Sequence, residues 1–262
     1  MPATLSNLEV FAIPPTQLAI DSSYEVSFRP SSTLDSAKTY DIQIPSSDDF
    51  TDLSETMLHV KLDIKDKDSK PVADTDVINV VSGFSCALFE QIDLYLNTVN
   101  VSQASGLYHY QAYLEDMLFR HNNKADSGAM WDDDEKNKAR IKKPFDLYFK
   151  LHNPLCAQRN LLLNNIPILL RISRNSDSFG IIGTNTKQFK LKILDIAVHI
   201  KRVKVFPDVS LGIQEGLEKS PVNYFITINE VKSFVIPTTI TTANFENVFS
   251  GVLPRRIGFR SC

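Results

Sequence analysis

The stretch Phe84 to Phe119, FSCALFEQIDLYLNTVNVSQASGLYHYQAYLEDMLF, changes its period half-way along, and that change decides the fold class. In Gln91-Ile92-Asp93-Leu94-Tyr95-Leu96-Asn97 the aliphatic side chains take every second position, which gives a pleated strand one greasy face and one mostly polar face. Asn97 to Gly106 is rich in Asn, Ser and Gly and has the chemistry of a turn region. Beyond it Leu107, Tyr110, Leu114, Met117 and Leu118 recur at three-and-four spacing, which predicts one apolar stripe on an amphipathic helix. A helix set among segments that otherwise alternate implies an all-β body carrying a helical insertion, and a protein built for shape.

Working outward, the same alternation recurs. Tyr24 to Phe28 and Tyr40 to Ile44 are short strands, stopped by Pro30 and Pro45. Leu58, Val60, Leu62 and Ile64 alternate with His59, Lys61, Asp63 and Lys65, and Lys65 to Asp76 is a charged, hairpin-like tip before a strand at Val77 to Val81. Asn122 to Lys143, with Asp132-Asp133-Asp134-Glu135 followed by a basic run, has the composition of a solvated surface excursion. Phe145 to Leu151 resumes a strand, and Asn164-Asn165 makes a turn inside Leu161 to Arg174, since Asn tolerates positive φ. Phe189 to Phe206 is the longest strand candidate. Its apolar phase runs Leu191 and Ile193, then Leu194, Ile196, Val198 and Ile200, then Val203 and Val205, and each one-residue slip is what a β-bulge produces. Asp208 can cap a short helix bearing Val209, Ile213 and Leu217 on one face and ending before Pro221, and Asn223 to Ile236 and Val252 to Phe259 alternate as strands again.

About eight strand candidates precede Pro207, the number that fills one jelly-roll sandwich. The expected organisation is therefore an N-terminal arm at 1–21, a first jelly roll at 22–206, a linker helix at 207–221 and the beginning of an incomplete second jelly roll at 222–262. Roughly 40 residues after Pro221 are too few to bury a core alone.

Composition excludes several function classes. Of 262 residues, 43% are hydrophobic and 16 are Phe, ordinary for a globular chain with a large core. Net charge is −3, so no global basic field exists and nucleic-acid contact is expected to be non-specific at most. The apolar run Leu161 to Leu170 is broken by Asn164, Asn165 and Pro167, far short of a membrane span. MPATLSNLEVFAIPP lacks the basic and apolar regions of a signal peptide, so export is not expected and an intracellular location is. Three widely spaced cysteines, Cys86, Cys156 and Cys262, suit a reducing compartment.

Several segments in order carry a family resemblance. They are Phe89 to Asn97, Tyr108 to Glu115 (YHYQAYLE), Arg159 to Asn165 followed by Leu170-Arg171, Asp177-Ser178-Phe179, Val198 to Val203, Gly216 to Lys219, and Asn247 to Arg256 with its LPRR. Taken together these resemble the double jelly-roll major capsid proteins of Maverick/Polinton-type, adintovirus-like elements, over nearly the whole chain from Tyr24 onward. The resemblance implies a structural, non-enzymatic virion protein whose homotrimers tile a shell, with a minor (penton) capsid protein as a further partner. In that family the second jelly roll continues well beyond the LPRR segment. A chain ending at Cys262 is then expected to be a truncated or genome-integrated copy, or one completed by another polypeptide.

Chemistry is sparse. His59, His109, His121, His152 and His199 form no H-x-x-x-H or H-x-H pair, so no zinc or iron site is expected. His152 with Cys156 lacks an orienting third residue and has Pro154 between them. The Asp132 to Glu135 run lacks the spacing and glycine of a calcium loop, and no phosphate-cradling glycine motif occurs, so no cofactor is expected. Tyr110, Tyr113, Arg171, Arg202, Arg255 and Arg256 are the candidates for assembly or packing contacts. The basic patches Lys201-Arg202-Val203-Lys204 and Arg255-Arg256 offer a contact to packaged DNA or to a neighbouring subunit, but read first as the polar face of a strand. The alternative function is a carbohydrate-binding jelly-roll module, for which Trp131 beside the acidic run is the candidate sugar platform.

Overall fold

A computed structural model describes residues 18–34, 37–73, 76–102, 105–119, 129–131, 134–183, 189–236, 244–246, 248–249 and 254–257. In chain order its strands are β1 (Ile20–Phe28), β2 (Thr39–Ile44), β3 (Phe50–Asp66), β4 (Ile78–Val80), β5 (Phe89–Leu96), β6 (Val99–Asn100), β7 (Phe145–Lys150), β8 (Ile168–Arg174), β9 (Ile181–Gly183) and β10 (Phe189–Val205). Helices are α1 (Phe84–Ala87), α2 (Tyr108–Phe119), α3 (Asp134–Arg140), α4 (Asp177–Gly180) and α5 (Pro207–Lys219).

Two four-stranded antiparallel sheets, ordered β1-β10-β3-β7 and β2-β8-β5-β6, face one another, and a small β4-β9 pair stands apart. Apart from the β5-β6 hairpin and the β4-β9 pair, successive strands alternate between the two sheets, as in a jelly roll. The inner faces meet in one core. Ile42 and Tyr40 of β2, Ile92 and Leu94 of β5 and Leu170 and Ile172 of β8 pack with Leu58, Val60 and Leu62 of β3, Leu147 of β7 and Ile196, Val198 and Ile200 of β10. Each such side chain, fully buried, contributes about 1.5 to 3 kcal/mol of transfer free energy. In β3 the alternation is unbroken from Leu58 to Ile64, and buried Leu58, Val60, Leu62 and Ile64 separate half-buried or exposed His59, Lys61 and Asp63.

The turns obey side-chain chemistry. Asn97 at φ +55 and Asn165 at φ +57 supply the left-handed positions of the β5-β6 hairpin and of the turn before β8. The bulges of β10 need a finer account than the apolar phase alone. Pairing with β3 slips between Ile193 and Asp195, so Leu194 is the extra residue, and it points outward at 36% exposure instead of opening the second inward phase. The next slip, between His199 and Lys201, places the surplus on β3, where Met57 and Asp52 are the flanking partners. The excursion after residue 121 also differs from expectation, because Asp134–Arg140 is helical and seats Asn137 and the following Ile141 in the interior.

Helix α5 follows β10 directly. Residues 221–236 then form neither helix nor strand, nor do the described residues of 244–257, so the strands expected at Asn223 to Ile236 are not formed. Half of Val252 to Phe259 (252, 253, 258 and 259) and most of the N-terminal arm, residues 1–17, lie outside the described residues; Ile20 and Asp21 already belong to β1.

Candidate functional site

Helix α2 is turned differently from what its apolar stripe predicts. Tyr110, Met117 and Leu118 are exposed, while Tyr108, His109, Gln111 and Ala112 are buried and Glu115 and Asp116 lie on the half-buried side. The cause is a partner that hydropathy does not register. His152, in the loop after β7, directs Nδ1 to Glu115 Oε2 at 2.9 Å and Nε2 to Asp116 Oδ1 at 3.3 Å. Buried carboxylates are tolerated when they are paired and hydrogen-bonded, and here they are. Gln111 Nε2 donates to Glu115 Oε1 at 2.9 Å, Asn229 Nδ2 donates to the same oxygen at 2.7 Å, and Trp131 Nε1 donates to Asp116 Oδ2 at 3.1 Å. The Tyr108 hydroxyl accepts the backbone N–H of His152 at 3.2 Å.

Cys86, on the short helix α1, completes the cluster with its Sγ 3.7 Å from Asp116 Oδ2. Burial works against the charge of His152, but hydrogen bonds with Asp116, Cys86 and Glu115 outweigh it and raise its pKa well above the ordinary imidazole range. Burial would likewise raise Glu115, and its bonds to His152, Asn229 and Gln111 reverse that and lower it. Burial pushes the Cys86 thiol up, which removes it from the list of activated nucleophiles. Cys156 is fully buried, and burial pushes its thiol up to about 12. The partners of His152 are thus Glu115 and Asp116 of α2 and Cys86 of α1, elements far from its own loop in sequence, so no local spacing signal announces the cluster.

The sequence-designated contact residues scatter. Tyr110 packs against the His109 ring at 4.3 Å and edges Phe179 at 6.0 Å. Tyr113 stacks on Trp131 at 5.2 Å, which engages one face of the indole that was the candidate sugar platform. On the outer face of β8, Arg171 makes a paired contact with Asp41 (Nε at 2.9 Å, Nη2 at 3.0 Å) and lies 5.6 Å from the Tyr95 ring centroid. The bond to Arg171 lowers the Asp41 carboxyl pKa. Arg202 is 3% exposed and turned inward, donating to Thr51 Oγ1 and, at 2.9 Å, to the Pro45 carbonyl, while neighbouring Lys201 and Lys204 face outward. Arg202 is therefore a packing residue near the end of an interior strand. Arg255 and Arg256 are exposed.

What the fold does gather at the surface is apolar. Phe225 and Val235 are 90% and 92% exposed, and Val222, Ile226, Ile228, Phe234 and Ile236 are also open to solvent. Two contacts tie this stretch to the sandwich. The Tyr224 hydroxyl donates to the Leu161 carbonyl and accepts from the Leu163 N–H, each at 3.1 Å, and Asn229 reaches Glu115. Beside it a groove of about 400 Å³ runs between α5 and the sheet edge, lined by Val209, Ile213, Val222, Tyr224, Phe50 and Val205.

No family model and no curated relative matches the sequence. Among solved structures the chain is similar to PBCV-1 VP54 fitted into a cryo-EM reconstruction of the virophage Sputnik (TM-score 0.49, 11% identity, covering 77% of this chain and 46% of that one). It is similar also to the Faustovirus major capsid protein (TM-score 0.43, 10% identity, 81% and 58% covered) and to the Sputnik virophage structure (TM-score 0.48, 10% identity, 79% and 53% covered). The chain spans about half the length of the solved structures it matches.

Proposed function

We propose that this chain is a shell-forming subunit of a viral capsid, a major capsid protein of the Maverick/Polinton-type double jelly-roll kind that works as a homotrimer in the virion. The observation that carries the reading is the strand order β1-β10-β3-β7 over β2-β8-β5-β6, followed without a break by α5 and an exposed apolar stretch from Val222 to Ile236. A sandwich of this kind supplies a rigid wall, and exposed apolar surface beyond that wall is what subunit assembly consumes.

The occupant assigned to Val222 to Ile236 is the remainder of a second sandwich, in which this stretch contributes strands. Its sequence is strand-like, among the described residues its side-chain hydrogen bonds to the sandwich come from Tyr224 and Asn229, and the family resemblance implies a second jelly roll from this point. In the assembled shell the sandwich walls would stand across its thickness, with inter-strand loops outward and helices against neighbours. A minor penton protein would close the vertices. The role is structural, with no turnover of substrate.

Light scattering after size exclusion, across a concentration series of the 262-residue chain, tests the reading. The expected result is a discrete trimer whose fraction rises with concentration. A folded monomer at every concentration overturns self-assembly by this portion of the chain, and specific retention on a glycan array in place of trimers would support the carbohydrate-binding alternative.

A further inference from the structure

The cluster at the foot of α2 has the composition and spacing of a metal centre. Cys86 Sγ, Asp116 carboxylate oxygens and His152 Nε2 come from α1, α2 and the loop after β7, and the three ligand atoms lie within 4.8 Å of one another. His152 Nε2 stands 3.3 Å from Asp116 Oδ1, and Cys86 Sγ stands 3.7 Å from the other carboxylate oxygen, Asp116 Oδ2. A tetrahedral zinc ion with Zn–N and Zn–O near 2.0 to 2.2 Å and Zn–S near 2.3 Å sets its ligands about 3.3 to 3.6 Å apart along the tetrahedron's edges. The Asp116 carboxylate already stands near that separation from both other ligands.

The surroundings also fit. A histidine that ligates through Nε2 needs its Nδ1–H held by an acceptor, and Glu115 Oε2 stands 2.9 Å from Nδ1. Glu115 is itself fixed by Gln111 and Asn229, and the ligating carboxylate of Asp116 is fixed by the Trp131 indole N–H. Cys86 is 3% exposed, and the other two side chains are about 15% exposed, so the centre is shielded from solvent without being sealed. A thiolate, an imidazole and one carboxylate select a borderline-soft divalent cation over calcium or magnesium, which require all-oxygen shells.

We propose that Cys86, Asp116 and His152 bind one zinc ion, with Glu115 as the positioning residue that orients His152, and that the ion pins α1, α2 and the loop after β7 to one another. Zinc enters as two protons leave, one from Cys86 Sγ and one from His152 Nε2, so the charge in the cluster is unchanged. The Asn229 bond to Glu115 connects this centre to the exposed stretch after α5, which places the metal beneath the point where that stretch is anchored.

Cobalt is the probe. Titrating Co²⁺ into the metal-free 262-residue chain carrying C156S and C262S should give a near-ultraviolet thiolate-to-cobalt band saturating at one ion per chain, which zinc then bleaches. Cys86→Ser in that background abolishes the band. Glu115→Gln keeps it and weakens the affinity by about 10- to 100-fold. Because Cys86→Ser could also perturb folding, zinc-edge X-ray absorption on the zinc-loaded chain with Cys86 intact provides a second measurement, with one sulfur and the remainder nitrogen and oxygen expected in the coordination shell. A folded chain that yields no cobalt band, or a zinc shell without sulfur, overturns the proposal.

Discussion

At the scale of single residues, His109 on α2 is a neutral imidazole held against two rings, 4.3 Å from Tyr110 and 4.6 Å from Phe179. It is 8% exposed and its Nδ1 has no hydrogen-bond partner. Burial lowers its pKa, and the opposing pull of Glu90, through a backbone hydrogen bond and its carboxylate charge, is the weaker influence. The unfolded chain titrates this histidine near 6.5, so below that pH the unfolded state binds more protons than the folded one. Its contribution is full above about pH 6.5 and is lost as pH falls through the depressed folded value. His109→Phe keeps the aromatic contacts and removes the titration. Urea midpoints measured at about pH 7.5 and 5.5 should fall less on acidification in the variant than in the parent; equal falls would show that His109 does not carry the dependence. The sequence could not reveal this residue's role, nor that of Glu115 and Asp116, because a polar side chain enters the interior only where a partner waits. Here the partner of the two carboxylates, His152, lies in another element and is not adjacent in any window of sequence.

Among the elements, β10 shows what periodicity can and cannot deliver. Its length and its position as the central strand of a sheet follow from an apolar pattern sustained over Phe189–Val205, and the first phase slip falls at the observed register shift. Pattern alone cannot say which strand holds the surplus residue at a slip, since that depends on the partner's register. At Ile193 to Asp195 the surplus is Leu194 on β10, whereas at His199 to Lys201 it lies on β3. The strand half Phe50–Met57 was illegible for the same reason, because Phe50, Thr51, Leu53 and Thr56 are buried on an irregular phase imposed by that bulge. The strands of regular phase, β2, β7 and β8, and β5 beyond its slip at Phe89 to Gln91, were legible because one face of each meets the core without interruption.

This gives a test at the same scale. Leu194 is outward and its backbone, not its side chain, sets the register, so Leu194→Thr should change stability by no more than about 0.5 kcal/mol. Deleting Leu194 removes the surplus residue and lets the Ile193–Leu62 and Asp195–Lys61 pairs follow one another in regular register, so Leu191, Ile193 and Ile196 all stay inward. Cooperative unfolding followed by circular dichroism is therefore expected to survive the deletion. A deletion that loses cooperative unfolding would show that the fold needs the bend the bulge puts into β10.

For the whole molecule, the sandwich and the stretch after α5 obey different rules. The sandwich hides its large aliphatic side chains, whereas Val222 to Ile236 presents Phe225 and Val235 almost fully to solvent and holds on through Tyr224 and Asn229. If that stretch is assembly surface, its apolar side chains contribute to association and not to the stability of the sandwich. The double variant Phe225→Ser with Val235→Ser should therefore leave the unfolding free energy of the sandwich within about 0.5 kcal/mol per site, as expected for exposed positions. The same variant should lower the oligomer fraction seen by light scattering at a matched protein concentration. Ile196→Ala in the core is the internal control and should cost about 2 to 5 kcal/mol. A double variant destabilised as strongly as the control would place Phe225 and Val235 inside the folding unit of the first sandwich. One that is equally stable and equally oligomeric would move the assembly surface elsewhere, with the outward apolar face of α2, carrying Tyr110, Met117 and Leu118, next in line.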